Sequence, residues 1–360
     1  MAIVVVGGGA IGLLMAGRLT QQQQPVALIA RPTTVATLHN QPLEMTYRGH
    51  CDVVTHLVAV ADPANVPPPY QRPALMMICV KGYDMPSTFG ILNRLQPAYV
   101  LSLQNGFGHE EALAQQIGRE RVIAGSITTS VQSERPAAIT ITRMGGIGLA
   151  PLVHNATTTR ELAHWQSVLR QAGFRVTQYR QYHSLKWSKV LLNMLGNATV
   201  ALLDLPVDAV YANHRLIEIE QALFLEALHV MRYQGIQPIN VPRYPAAWLS
   251  LMMQLLPRPV LFPLLQRLVG GGRGGKLPSL LLDLRQGRGR TEGAYLYGAV
   301  VAAAERHGLS VPVNTVIWQL LHDIVSGALP WETFRHQPQR LIEVVAQART
   351  QTPIALSDKE

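Results

Sequence analysis

The chain contains very little cysteine, and this scarcity excludes several classes of protein. Only Cys51 and Cys79 are cysteines among 360 residues, and neither belongs to a CxxC or Cys/His pattern. A disulfide framework and a structural zinc site are therefore excluded, and a reducing, cytoplasmic compartment is expected. The twelve histidines show no HExxH or comparable spacing, so we expect no metal centre.

Long uninterrupted hydrophobic runs are also missing. The most apolar stretch, 246–269, contains Pro257, Arg258, Pro259 and Pro263, which interrupt a membrane-spanning helix. We expect no membrane span, and helices packed in the core or at a homodimer interface would account for this stretch. The N-terminal residues lack the basic region and cleavage site of a signal peptide.

The positive charge of the chain is not gathered into one block. Its net charge is +9, but no run of lysine and arginine with interleaved aromatic residues occurs, so nucleic-acid binding is not expected. Excess positive charge also suits small anions such as a phosphorylated cofactor and a carboxylate substrate. With 48% hydrophobic and 15% charged residues the chain is globular, and its length suggests about two domains.

Short apolar runs alternate with helical patterns in the first half of the chain. The runs occupy 2–6, 25–30, 75–80, 99–103 and 122–126. Such alternation predicts a parallel sheet covered by helices on both faces. Later strands at 139–151 would complete this domain.

The pattern changes near residue 180, where long amphipathic stretches replace the alternation. We therefore predict an α/β dinucleotide-binding domain of the Rossmann type over 1–180 and an all-α domain over 181–345. Residues 346–360 are expected to form a flexible tail.

The first apolar run leads directly into a glycine-rich motif. Gly7, Gly9 and Gly12 form G-x-G-x-x-G between a predicted strand and a predicted helix. The first glycine permits a tight turn, the second lets a pyrophosphate approach the backbone, and the third lets helix and strand pack closely. Ala10 and Ile11 lie in the first helical turn, where main-chain amides bind phosphate. The motif predicts dinucleotide binding.

The residue that ends the second strand discriminates between the two nicotinamide cofactors. An NAD site has Asp or Glu at this position, whereas this chain has Arg31 and no acidic residue before Glu44. Because arginine pairs with a 2′-phosphate, the sequence favours NADPH. The alternative is that Arg31 is only a solvated loop residue.

A second glycine-rich stretch, GGGRGGKL at 270–277, superficially resembles a phosphate-binding P-loop. The residue after Lys276 is leucine, so the hydroxyl that would bind magnesium is missing. No strand is predicted before it. We therefore expect a flexible loop at 270–277.

Polar residues follow two of the predicted strands, and others recur within an apolar stretch. Lys81 and Asn105 come after neighbouring runs, where the carboxyl ends of parallel strands face the ligand crevice, although Asn-Gly is also a common turn. Lys189, Asn193 and Asn197 recur at every fourth residue, which places them on one face of a helix. The face either turns to the crevice, where lysine can donate a proton to a ketone, or turns to solvent.

A further polar pair lies in the apolar and basic run 277–298. Ser279 precedes a leucine-rich segment, and Glu292 stands near the start of a predicted helix. A carboxylate at that position commonly does no more than interact with the helix dipole.

Together these residues resemble the ketopantoate reductase (2-dehydropantoate 2-reductase) family. The resemblance covers about residues 1–330 and rests on GGGAIG, VK, LQNG, KVLLNMLGN, PSLLLD, GRTE and HGLSVPVNT. It implies a Rossmann domain and a helical domain with the active site in the cleft between them. It further implies NADPH-dependent reduction of 2-dehydropantoate to pantoate, a step of pantothenate and coenzyme A synthesis.

The resemblance also implies a role for each matching residue. Lys189 would be the general acid, and Glu292 would orient the substrate or the lysine. The substrate would be bound by Asn193, Asn197 and Ser279. The cofactor would be contacted in the cleft by Lys81 and Asn105, and Asn105 would also lie near the substrate.

Three departures from the family pattern leave the substrate open. Gly293, Ala294 and Tyr297 replace residues that are usually Ile-Asp and Asn, the stretch 240–276 is longer and more apolar, and GRGRTE carries extra basic residues. A reductase of another bulky 2-keto acid and a non-catalytic NADP-binding sensor are therefore kept as alternatives. A sensor would have no need of a proton donor such as Lys189.

Overall fold

The computed structural model describes residues 1–270, 277–287 and 289–351, and the chain divides into two compact units. The first unit comprises residues 1–186 with 241–244, and the second comprises 187–240 with the chain from 245 onwards. The division falls between Lys186 and Trp187, shortly after the boundary expected at residue 180.

Two sheets form the framework of the first unit, and their strands are short. The strands are β1 Ile3–Val6, β2 Val26–Ile29, β3 Leu43–Tyr47, β4 His50–Val54, β5 Val58–Val60, β6 Leu75–Ile78, β7 Tyr99–Ser102, β8 Val122–Ile127, β9 Ser130–Arg135, β10 Ala138–Arg143, β11 Ile147–Pro151 and β12 Val176–Gln178. Every apolar run that predicted a strand is thus confirmed.

The larger sheet has the strand order expected of a doubly wound fold. Its order is β12-β11-β8-β7-β6-β1-β2-β5, and β1 pairs in parallel with both β2 and β6. All residues of β1, β2 and β6 are buried, which is why these strands are continuously apolar and do not alternate. The chain crosses over at β1, and the carboxyl ends of β1, β6 and β7 therefore meet at one edge. A smaller sheet has the order β4-β3-β10-β9.

Helices connect these strands and make up the second unit. They are α1 Ala10–Gln21, α2 Pro32–Asn40, α3 Thr88–Leu95, α4 His109–Ile117, α5 Ala156–Gln171, α6 Tyr182–Met194, α7 Ala198–Leu203, α8 Val207–Ala212, α9 His214–Tyr233, α10 Ala246–Leu255, α11 Arg258–Leu265, α12 Ser279–Arg285, α13 Ala299–Glu305, α14 Pro312–Ser326 and α15 Pro338–Gln351. Among the described residues of the second unit, every regular element is helical, as predicted.

The long apolar stretch forms two amphipathic helices. Pro257 separates α10 from α11, whereas Pro263 is accommodated inside α11. One face of the pair is buried, but Trp248 and Leu255 keep 64% and 74% of their surface exposed. None of the helices described here has the length and apolarity needed to cross a bilayer.

Two helix ends differ from the expectations, and most of the expected loop lies outside the described residues. The helix predicted over 187–197 ends earlier, because Gly196 adopts a left-handed backbone with φ of +54° after α6 ends at Met194. The tail expected from residue 346 begins inside α15, so 346–351 are helical, and 352–360 lie outside the described residues. Most of the loop expected at 270–277 also lies outside them, since description stops at 270 and resumes at 277.

Candidate active site

The glycine-rich turn after β1 has the geometry that its sequence predicts. Gly7 has φ of +113°, and its N–H donates to Ile29 O at 2.9 Å. A Cβ on Gly12 would lie 1.7 Å from Gly7 O, so any side chain there would displace the turn. A Cβ on Gly9 would meet no protein atom within 4 Å. Two glycines are thus fixed by packing, and the second presents bare backbone to a ligand, which fits a dinucleotide pyrophosphate.

The first turn of α1 completes this phosphate site. α1 begins at Ala10 with Gly9 as its N-cap, and no side chain caps it. The N–H groups of Ala10, Ile11 and Gly12 belong to the first turn, which has no intrahelical acceptors. Such a helix start attracts phosphate through its amides and its partial positive charge.

Arg31 stands beside this turn. It follows β2, is exposed, and is the N-cap residue of α2. A Cβ on Gly8 would lie 2.6 Å from Ala30 Cβ and 3.0 Å from Thr34 Cγ2, so the turn packs on the segment that carries Arg31. A guanidinium at this place can pair with a phosphate on the ribose.

Lys81 and Asn105 both lie at the carboxyl edge next to the turn, as predicted from their positions after strands. They follow β6 and β7, which pair in parallel beside β1, and both residues are half-buried. Asn105 O contacts Nε2 of His109 at 3.0 Å, and Gly106 and Gly108 follow with positive φ. The Asn-Gly turn is therefore real, and it also lies where a ligand-contacting amide is expected.

A buried ion pair supports this turn. Lys186 Nζ lies 2.9 Å from Glu110 Oε1, and the two side chains keep only 4% and 1% of their surface exposed. The same ammonium donates to the main-chain oxygens of Gln104 at 2.7 Å and Gly125 at 3.4 Å. Gln104 directly precedes Asn105, so the pair fixes the backbone that presents Asn105. Buried charges of this kind are tolerated only with such partners.

In the second unit, the asparagines expected on one helix face are split between two helices. Lys189 and Asn193 lie one turn apart on α6 and are half-buried, whereas Asn197 is buried and is the N-cap residue of α7. Asn197 Nδ2 nevertheless donates to Asn193 O at 3.1 Å, and Asn197 Oδ1 accepts from Leu280 N at 3.4 Å. The structure thus brings Asn193 and Asn197 together with the first turn of α12, where Ser279 is the first residue.

Two buried side chains hold the turn between α6 and α7. Tyr297 Oη donates to Met194 O at 2.7 Å and accepts from Ala198 N at 3.1 Å. The carboxylate of Glu220 accepts from Gly196 N at 2.6 Å and from the hydroxyls of Thr199 and Tyr211. Both Tyr297 and Glu220 are almost fully buried, so the turn that orients Asn197 is rigidly supported.

Glu292 is buried and stands where a helical segment begins. The segment opens with π-helical residues Ala294–Gly298 and continues as α13. This π-helical part coincides with the residues that depart from the family pattern, and it carries the Tyr297 contact just described. π-helical turns are rare and occur frequently at functional sites.

Sequence reasoning missed Lys186, Glu110 and Glu220, and a signal was present for Lys186 and Glu220. Lys186 is a second lysine in a largely apolar helix, and Glu220 interrupts the apolar stretch of α9. Charged residues are seldom buried unless they are paired or hydrogen-bonded, so each predicted a specific partner. The identity of the partners, distant in sequence, was not readable.

Two segments of the chain match models of one protein family. Residues 3–154 match "Ketopantoate reductase PanE/ApbA", and residues 181–325 match "Ketopantoate reductase PanE/ApbA C terminal". The 2-dehydropantoate 2-reductase of Pyrococcus horikoshii is 25% identical over 328 residues, which cover 89% of this chain and 96% of that protein.

Solved structures share the fold. A PanE/ApbA family ketopantoate reductase from Ralstonia eutropha aligns with a TM-score of 0.75 at 22% identity, covering 91% of this chain and 99% of that one. A D-mandelate dehydrogenase in complex with NADH and anilino(oxo)acetate also aligns with a TM-score of 0.75, at 18% identity and with the same coverage.

Proposed function

The chain belongs to the ketopantoate reductase family, and we propose that it reduces the ketone of 2-dehydropantoate to pantoate with NADPH. NADPH, when bound, supplies the hydride. The proposal assigns the cofactor pyrophosphate to Gly7, Gly9 and Gly12 with the first turn of α1. Arg31 binds the 2′-phosphate, which selects NADPH over NADH.

Lys81 and Asn105 contact the cofactor in this proposal, and Asn105 also contacts the substrate. Both lie at the edge where β1, β6 and β7 end, which is where ligands of doubly wound sheets bind. The Lys186–Glu110 pair acts through Gln104 and keeps the Asn105 turn in place. It is a positioning pair and does not touch the reactants.

Lys189 is the general acid that protonates the developing alkoxide oxygen of the substrate. A lysine suits this step when its surroundings disfavour its charge, because a weaker base gives up its proton more readily. Asn193, Asn197 and Ser279 bind the carboxylate and hydroxyl groups of the substrate. Glu292 orients the substrate or the lysine, because its buried carboxylate lies at the start of the helical segment whose Tyr297 supports Asn197.

One observation carries the assignment. Asn193, Asn197 and the first turn of α12 meet through hydrogen bonds one helical turn from Lys189, although α12 lies about eighty residues later in sequence. A stripe facing solvent would not require such a junction. The curated relative from Pyrococcus horikoshii, named for the same reaction, supports the substrate.

The direct test is NADPH oxidation by the purified chain with 2-dehydropantoate beside a panel of other 2-keto acids. The proposal requires that 2-dehydropantoate gives the highest kcat/KM of the panel. NADPH binding without turnover on any keto acid would identify a non-catalytic sensor instead.

A second substrate class is favoured by the π-helical segment. Gly293, Ala294 and Tyr297 depart from the family pattern in and beside that segment. The fold also serves a D-mandelate dehydrogenase whose solved ternary structure contains NADH and anilino(oxo)acetate. A bulkier 2-keto acid is therefore the alternative substrate, and the same panel distinguishes it by a higher kcat/KM.

A further inference from the structure

Three arginines line one cavity in the first unit, away from the glycine-rich turn. The cavity measures about 290 Å³ and is lined by Tyr47, Arg48, Thr129, Met144, Gly145, Gly173, Phe174, Arg175 and Arg243. No acidic residue is among them. All three arginines are exposed, so their guanidinium groups can reach a ligand in the cavity.

The backbone of each arginine is held in a closed turn or a strand connection. Arg48 occupies the turn between β3 and β4, whose last pair is Tyr47 with His50. Arg175 O accepts from Ile147 N at 2.8 Å just before β12. The three guanidinium groups are therefore presented from fixed backbone positions.

Arg243 lies in a two-residue turn of the same kind. Val241 and Tyr244 exchange both main-chain hydrogen bonds, at 3.0 and 2.9 Å, on either side of it. Thr128 Oγ1 ties this segment to the sheet by donating to Pro242 O at 2.8 Å. The segment thus belongs to the wall of the cavity.

Two of the arginines have an uncommon backbone conformation. Arg48 and Arg243 have φ of +52° and +64°, which lie in the left-handed backbone region that residues other than glycine rarely adopt. Such residues cluster at functional sites, where surrounding contacts hold them. Here both turn an arginine to the same cavity.

The guanidinium groups of these arginines have no charged partner among the residues that the structure describes. Throughout the described ranges, none of the three guanidinium groups forms an ion pair or a side-chain hydrogen bond. Arg48 lies over the ring of Tyr47, 5.3 Å from its centroid, which leaves the guanidinium edge open to an anion. Positive charges that line one cavity repel one another, and an anion bound in the cavity would offset that repulsion.

We propose that this cavity binds a small molecule that carries a diphosphate group. Planar guanidinium groups bind phosphate oxygens in pairs, and three of them match the charge of a diphosphate better than that of a single carboxylate. The cavity is large enough for a diphosphate with a further group beside the Tyr47 ring. This site is separate from the glycine-rich turn proposed to hold the cofactor.

Titration calorimetry with inorganic pyrophosphate, at low salt and with saturating NADP⁺, tests the proposal. NADP⁺ keeps the probe away from the glycine-rich turn. The test variant is Arg48→Gln/Arg175→Gln, and Arg243→Gln is examined separately. The matched control is Arg160→Gln/Arg306→Gln, which removes the same charge from two exposed arginines outside the cavity.

We expect pyrophosphate to bind the wild-type protein and the control, and to bind the test variant at least about tenfold more weakly. Orthophosphate should bind more weakly than pyrophosphate. Equal losses in test and control variants would overturn the proposal, because only general surface charge would then be involved. Absence of pyrophosphate binding to the wild type, or tighter cavity-dependent binding of a single-stranded oligonucleotide, would also overturn it.

Failure of the cofactor proposal would look different. If NADP⁺ did not protect the glycine-rich turn, pyrophosphate binding there would persist unchanged in the cavity variants. Unchanged thermal unfolding of each variant shows that a loss of binding comes from the cavity itself.

Discussion

Asn197 donates a hydrogen bond to the main-chain oxygen of Asn193 at 3.1 Å, although the helix that carries Asn193 ends between them. The break at Gly196 frees Asn197 Oδ1 to accept from Leu280 N, which a continuing helix would not have positioned. Asn193 and Asn197 therefore remain in contact, as they would on one helix face, although the helix ends between them.

Replacing Lys189 with alanine should lower kcat by about 10²- to 10⁴-fold, because the variant lacks the proposed proton donor. The dissociation constant of NADPH, measured by fluorescence, should change little. Lys189→Arg serves as the control, since arginine keeps the charge but does not give up a proton near neutral pH. Recovery of kcat in Lys189→Arg, or an equal loss of NADPH binding, would remove Lys189 from the role of general acid.

Replacing Arg31 with glutamine should raise KM for NADPH by roughly tenfold and leave KM for NADH unchanged, because only NADPH carries the 2′-phosphate. Initial rates measured with each cofactor give the ratio of KM for NADPH to KM for NADH. Arg160→Gln, on the exposed side of α5, controls for the loss of one positive charge. An unchanged ratio in Arg31→Gln would place the phosphate elsewhere.

Tyr297→Phe should lower kcat/KM for the keto acid about tenfold while NADPH binding stays constant. The variant leaves Met194 O and Ala198 N without their buried partner, so the turn that orients Asn197 loosens. The free energy of unfolding should also fall by about 1–3 kcal/mol. Tyr233→Phe is the matched control on an exposed ring, and an equal effect there would show that Tyr297 has no special position.

Lys186→Met should destabilise the protein by about 3–5 kcal/mol, because Glu110 is left as an unpaired buried charge. Lys186→Met/Glu110→Gln should recover most of that loss, as seen by thermal unfolding. If the pair positions Asn105, the double variant should still show a raised KM for NADPH. If the double variant regained both the stability and the NADPH KM of the wild type, the Lys186–Glu110 pair would have only a structural role.

The stability contributed by Asp204 should depend on pH in a defined direction. Burial raises the pKa of this carboxyl, but hydrogen bonds and charges from Arg285 and Arg335 outweigh it and hold the pKa below its usual value. The stabilisation is therefore present above the unfolded pKa, about 3.9, and is lost as pH falls through the folded pKa.

Asp204→Asn measures this contribution. Near pH 7 the variant should be less stable by about 1–3 kcal/mol, because its amide pairs poorly with two guanidinium groups. The difference from wild type should stay constant down to about pH 5 and shrink below about pH 4. A difference that grows on acidification would contradict the assignment. Asp208→Asn, on the exposed side of α8, is the control.

Local sequence patterns predicted the central strands of the first unit, but they did not predict β3, β4, β5, β9 or β12. Strands buried on both faces, such as β1 and β6, are continuously apolar, and the glycines after β1 are required by contacts within a few residues. Position along the chain also predicted that Lys81 and Asn105 would lie at one edge. These features depend on short-range rules, which a single sequence carries.

Features that depend on distant partners were not predictable. The spacing of Lys189, Asn193 and Asn197 gave no sign that Gly196 would end the helix, because Tyr297 and Glu220 stabilise that break from elsewhere in the chain. Lys186 likewise finds Glu110 only after folding. The composition of α15 did not reveal that it would extend to Gln351 either.

The π-helical residues Ala294–Gly298 have a consequence for the chain's history and for its redesign. A π-helical turn contains one residue more than an α-helical turn would, so it behaves as a single-residue insertion inside a helix. Deleting one of these residues would let a regular α-helix form, in which each N–H again bonds to the carbonyl four residues before it. Side chains within the segment, Tyr297 among them, would then lose their present positions relative to Glu292. Any graft of a relative's sequence onto this segment must therefore conserve its length as well as its side chains.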